Sequence, residues 1–206
     1  DLLSSDKIFY GYLLQTFKFR EDDKIPTLSI QGDDGQIILK YNKKYMESLK
    51  SEERIAVIEH EILHIANEHN KRFKHREFDE FKKPYLIGTD VAINQLIDNL
   101  PKGLVTKECI EKELKKEGII TTPLESDREA EYYVDLLRLL AKKLNKKEIA
   151  EQNVLNHCNH FDKTDDEKGI SDLERETFKQ LLVVAGEKAG YTPSGIDKLV
   201  EEWTRI

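Results

Sequence analysis

The chain has 206 residues, 38% of them hydrophobic and 35% charged, with a formal net charge of −7. That length suits one large domain or two small ones, and the balance is that of a globular, well-solvated protein. The acidic excess argues against a nucleic-acid binder, and no apolar run approaches the ~18 residues of a membrane span. Two cysteines, Cys109 and Cys158, make no disulfide framework, which points to a reducing, cytoplasmic setting. No secretory signal is visible; the chain starts at Asp1, so a removed leader stays open.

Residues 4–19 carry Ile8, Phe9, Tyr12, Leu13, Phe17 and Phe19 mostly at helical spacing. The spacing predicts a first helix, with Ser4 or Ser5 as its cap. Residues 27–31 and 36–41 read as strands around the turn Gly32-Asp33-Asp34-Gly35. Such a hairpin is either purely structural or offers an edge to which an extended peptide substrate can pair.

Residues 52–73 predict the next helix. With Ile55 at 0°, Ile58, Ile62, Ile65, Ala66 and Phe73 fall within about 60–80° of it, an apolar stripe. Ser51, Glu52 and Glu53 supply a cap and an acidic first turn. Inside this stretch His60-Glu61-Ile62-Leu63-His64 reads His-Glu-x-x-His. Residues four apart share a face, so His60 and His64 fall at about 140° and 180°, with Glu61 near 240°. Two imidazoles there can hold one zinc ion, and a catalytic zinc keeps a position open for water. The metal acidifies that water and polarises a carbonyl, and Glu61 takes the proton. The bland alternative is a surface helix with two solvated histidines.

Two histidines are too few for a zinc site, and three residues compete for the third place. His69 falls near 320° on a continuing helix, inside the apolar stripe, which reads as a buried structural histidine. Glu68 lies near 220°, on the metal-facing side but one turn too far along. Asp90 follows Gly88-Thr89, which reads as the start of a helix over 89–99 stopped by Pro101 and Gly103. A carboxylate from a following helix suits the set His60, His64 and Asp90, with Asn94 one turn on to hydrogen-bond a ligand histidine. Asp90 can equally cap its own helix.

Residues 74–83 read as a charged loop. A short helix at 107–117 is closed by Gly118. The box Ser126-Asp127-Arg128-Glu129 opens a helix to Leu144, with Tyr133, Leu136, Leu137 and Leu140 at core spacing. Residues 147–153 suggest another short helix, followed by a loop holding His157, Cys158 and His160. Ser171-Asp172-Leu173-Glu174 is a second box, opening a helix to Ala189 that Gly190 ends, and residues 193–203 form the last helix. His157, His160, Tyr132 or Tyr133 can stabilise a transition state from these positions. A separate Cys158/His157/His160 zinc site lacks ligands. The expected fold is α+β: a mainly helical, zincin-like single domain over 1–206 with a small sheet before the His-Glu-x-x-His helix.

These residues together resemble a known family, the metallopeptidase-like domain that precedes a von Willebrand factor A-like domain in bacterial and phage proteins. His60-Glu61-x-x-His64 followed by His69-x-x-Arg72 resembles its extended motif, and Asp90-Val91-Ala92-Ile93-Asn94 its Asp-x-x-x-Asn segment. Residues 129–137, the loop 157–162 and the stretch 185–200 with Gly190, Pro193 and Ser194 resemble its later segments. Phe161 stands where the family pattern has Trp. The resemblance implies zinc dependence and Glu61 as base, with the A-like domain absent from this chain and expected C-terminal to it.

The favoured activity is therefore zinc-dependent hydrolysis of a peptide or protein substrate, with no nucleic-acid or membrane partner. The alternatives are a catalytically inactive peptidase-like scaffold that binds peptide, and a metal-dependent hydrolase of a non-peptide amide. Glu61 discriminates in part between the peptidase and the scaffold, since a purely structural zinc site does not need it, whereas the sequence does not separate a peptide from a non-peptide amide substrate.

Overall fold

A computed structural model describes residues 7–73, 82–144 and 170–204, with the side chains of Asn70 and Lys82 excepted. The predicted helix over 147–153 and the loop with His157, Cys158 and His160 lie outside the described residues. The architecture is α+β and mainly helical, with one three-stranded sheet. The chain divides into two compact units, Asp1–Asn67 with Lys163–Ile206, and Glu68–Asp162.

The first unit begins with α1 (Ile8–Leu14), β1 (Lys18–Glu21), β2 (Leu28–Asp33) and β3 (Gln36–Tyr41). It continues with α2 (Lys43–Ser48) and α3 (Ser51–Ala66). The sheet order is β1-β3-β2, with β2 antiparallel and β1 parallel to β3. Asp34 and Gly35 both have positive φ, 50° and 73°. That is the two-residue turn whose twist suits a tight hairpin, and Asp-Gly is the pair that adopts it readily. The expected first helix is shorter than its spacing implied: it stops at Leu14, and Lys18–Glu21 is a strand. All four residues of β1 are exposed, so no alternation marked it; its pairing with Ile38–Tyr41 creates it. The helix α2 also went unread, because none of its residues is buried.

A later pair of helices closes this unit. Ser171 caps a helix, here α8 (Asp172–Ala189), and Glu174 accepts from the Ser171 backbone at 2.9 Å. Glu174 also accepts from Gly35 N at 3.3 Å, tying the hairpin turn to the start of α8. Gly32 faces the Glu174 carboxylate so closely that any side chain there would collide with it. Phe17 and Phe178 pack at 6.0 Å between ring centroids. Gly190 ends α8 in the left-handed region at φ 76°, and α9 (Asp197–Thr204) follows.

The second unit holds α4 (His69–Arg72), α5 (Lys82–Asn94), α6 (Lys107–Lys116) and α7 (Ala130–Lys143). Its core joins Ile87 and Val91 of α5, Ile110 and Leu114 of α6, and Tyr133 and Leu137 of α7. Helices α5 and α7 meet at Gly88, where an added Cβ would lie 2.7 Å from the Val134 nitrogen. Gly88-Thr89 therefore does not precede a helix, as the sequence suggested. It lies inside one that begins at Lys82, and glycine serves close helix contact rather than a break. Pro84 sits in the first turn, where its missing N–H is no loss. The Ser126–Glu129 box does not form. The helix starts at Ala130 with no side-chain cap, and Ser126 Oγ accepts from Lys107 Nζ at 2.6 Å instead.

Candidate metal centre

The site is built on α3, and the sequence explains why that helix forms. The Lys50 backbone N–H donates to the Glu53 carboxylate at 2.8 Å, and Glu52 and Glu53 complement the helix dipole in the first turn. Farther along, the helix is enclosed. Glu59, His60, Glu61, Ile62, Leu63 and His64 are all buried in succession. The apolar stripe exists, but the histidine face is enclosed as well. The solvated surface helix is excluded, because His60 is 0%, Glu61 5% and His64 7% exposed.

Buried polar groups must find partners, and the histidines find each other. Their Nε2 atoms face at 3.0 Å, with ring centroids 4.6 Å apart and the planes at 63°. With one Nε2 protonated this is a hydrogen bond. With both lone pairs bare, the same spacing suits one cation. Two nitrogens bound tetrahedrally at 2.0–2.1 Å would stand about 3.3 Å apart. The donor set present thus fits a first-row metal ion with little movement, and imidazole suits such ions.

The other buried acid of the motif region has a structural role. Glu59 accepts from Tyr10 Oη at 2.7 Å and from Lys7 Nζ at 3.0 Å. Burial, and the Glu59 carboxylate after it, push the Tyr10 phenol far above its ordinary range, so it stays protonated and donates. This ties α1 to α3 on the side away from Glu61, since Glu59 lies about 160° from it around the helix.

The helix does not continue to residue 73. Asn67 Nδ2 donates to Leu63 O at 2.9 Å, satisfying one of the terminal carbonyls. Glu68 then takes the left-handed conformation, φ 52°, and a separate turn of helix starts at His69. The chain thus bends after His64 without a glycine, and positions on the original wheel lose their meaning from Glu68 onward. His69 is buried all the same. Its ring meets Phe73 edge-on at 6.3 Å, and Phe73 joins Tyr85, Ala130 and Val134 in the second unit rather than Ile58 and Ile62. Arg72 of the same turn pairs with Glu129 at 3.2 Å and with Glu131, anchoring α4 to α7.

Asp90 is half-buried in the third turn of α5. That position removes the reading of Asp90 as a helix cap, because the first turn lies two turns earlier. Asn94, the last residue of α5, donates from Nδ2 to Val105 O at 2.9 Å. Of the two tyrosines considered, Tyr133 is core: its hydroxyl donates to Glu125 O at 2.9 Å and receives from Gln95 Nε2 at 2.9 Å. Tyr132 packs edge-on against Tyr133 under the Arg128 guanidinium. A tyrosine that the sequence did not single out is Tyr45 of α2. Burial, then the carboxylates of Glu61 and Glu53, push its phenol up to about 12.

A family model described as "Putative metallopeptidase domain" matches residues 2–205. The chain belongs to this metallopeptidase family. One model thus spans both compact units of the chain. Comparison with curated proteins and with solved structures finds no match. Among the described residues, no helix of the family member is long and apolar enough to cross a membrane.

Proposed function

We propose that this metallopeptidase-family chain is a zinc-dependent peptidase acting on a peptide or protein substrate, with residues 1–206 working as one domain. The carrying observation is the buried pair of facing His60 and His64 nitrogens, 3.0 Å apart, with buried Glu61 between them in sequence. Asp90 is the third ligand in this reading. Each of the three offers one ligand atom, two imidazole nitrogens and a carboxylate oxygen, the donor set of many catalytic zinc sites. Loss of the capping role for Asp90 supports the assignment.

When bound, the metal supplies a Lewis acid that polarises the scissile carbonyl and acidifies water. Glu61 takes the proton of the attacking water and delivers it to the leaving nitrogen. His60 and His64, both buried, would hold the metal with little movement. An edge strand of the sheet, β2, packs against α3, which suits an extended peptide pairing along it. Cytoplasmic action fits the cysteine usage, and an A-like domain following this chain fits the resemblance.

Metal analysis tests the reading. The parent should hold one zinc per chain, and the His60→Ala/His64→Ala double variant none. Full occupancy in that variant would end it.

A further inference from the structure

We propose that Tyr10 and Lys7 are positioning residues of the metal site: through Glu59 they fix the rotation of α3 about its axis, and with it the places of His60 and Glu61. The use of Glu61 rests on the peptidase reading above. The placing of the histidine pair does not. Tyr10 is 1% and Glu59 3% exposed. The phenol donates to Glu59 Oε1 at 2.7 Å, and the Lys7 ammonium donates to Oε2 at 3.0 Å. Lys7 Nζ also stands 5.6 Å from the centroid of the Tyr10 ring, so the three side chains close on one another. Both oxygens of Glu59 are thus held from α1 and the residue before it.

The rest of that side of α3 is apolar. Ala56, Ile62, Leu63 and Ala66 are buried and lie within about 60° of Glu59 around the helix. Apolar burial has no direction, so it holds α3 in place without fixing how far the helix is turned. Hydrogen bonds to a carboxylate do have direction. Enclosing that carboxylate is costly, and packed apolar residues of similar volume serve stability as well or better. A buried charge kept one residue before His60 therefore argues for registry, the best-attested use of such pairs. The lever is long enough to matter. Turning α3 by about 10° carries a group roughly 6 Å from its axis through about 1 Å. A misplacement of that size costs about 10²-fold in rate.

The test is Lys7→Met/Tyr10→Phe/Glu59→Leu in the full chain, which replaces the network by apolar groups of similar size. Free of metal, this variant should melt at or above the parent. The first readout needs no turnover. Loaded with Co²⁺, it should still bind one ion per chain, but the visible absorption bands, which follow the angles among the ligands, should shift from the parent's. Tyr10→Phe alone keeps the ring and the ion pair, and should shift them the same way by less. The second readout uses zinc-loaded protein and a quenched fluorescent peptide library. There kcat of the triple variant should fall about 10²-fold with KM near the parent value. A variant with the parent's cobalt spectrum or the parent's kcat would overturn the proposal, and so would one that melts well below the parent, since the network would then serve stability. A zinc-loaded parent that cleaves nothing would remove the peptidase reading, and the cobalt spectra would still decide the positioning.

Discussion

Helices α3 and α5 carry the proposed ligands and are built in opposite ways. Helix α3 buries polar groups: Glu59, His60, Glu61 and His64 are all enclosed, and the histidines face each other across 3.0 Å. Helix α5 buries apolar surface against α7, with Gly88 at the closest approach and Asp90 only half enclosed. Enclosing polar groups opposes folding unless they are paired, so α3 holds an arrangement that packing alone would not select. Its polar residues therefore point to function, and α5's glycine points to packing.

Substitutions on α5 and in the turn after α3 break this contrast most sharply. Asp90→Ala should weaken zinc binding by more than about 100-fold, beyond what loss of an outer partner produces, and leave zinc-free melting nearly unchanged. Zinc titration with melting of both forms checks this, and normal affinity would remove Asp90 from the ligand set. Gly88→Ala should do the reverse. The added methyl meets the Val134 backbone, which cannot swing aside, so about 3 kcal/mol of stability should be lost by denaturant titration. A neutral result would show that α5 and α7 separate freely.

His69→Ala sharpens the same contrast within one motif. It should leave a cavity beside Phe73 and lower zinc-free stability by about 1–3 kcal/mol with affinity intact. Lost zinc with unchanged melting would place His69 among the ligands.

The smallest expected effect concerns the hairpin and α8. Hydrogen bonds from Ser171 and then Gly35 hold the Glu174 carboxyl below its ordinary value in the folded protein. Its contribution is therefore complete above the unfolded carboxylate value and is lost as pH falls through the lower folded one. The melting difference between the parent and Glu174→Gln should shrink on acidification below that range. A difference that grows instead would contradict the bonding described.

The sequence disclosed α3 well because its motif and apolar stripe agree, and it disclosed the Ser171 box and Gly190 because each signal is local. It misread α5 because a glycine that permits close packing looks like one that ends a helix. It missed β1 because strand pairing, not side-chain alternation, makes Lys18–Glu21 extended. The bend after His64 had no marker either: Glu68 takes a left-handed conformation that no glycine announces. Phe73 then falls in the second unit, so a single wheel over 52–73 joined two cores.

The central claim is that Glu61 serves as the base beside a metal held by His60 and His64. Glu61→Gln tests it directly, since the amide keeps the shape but takes no proton. Purified beside the parent, the variant should hold the same single zinc and melt alike, while peptide hydrolysis falls 10²–10⁴-fold, about 3–5 kcal/mol of barrier. Turnover equal to the parent, with zinc bound, would contradict the account.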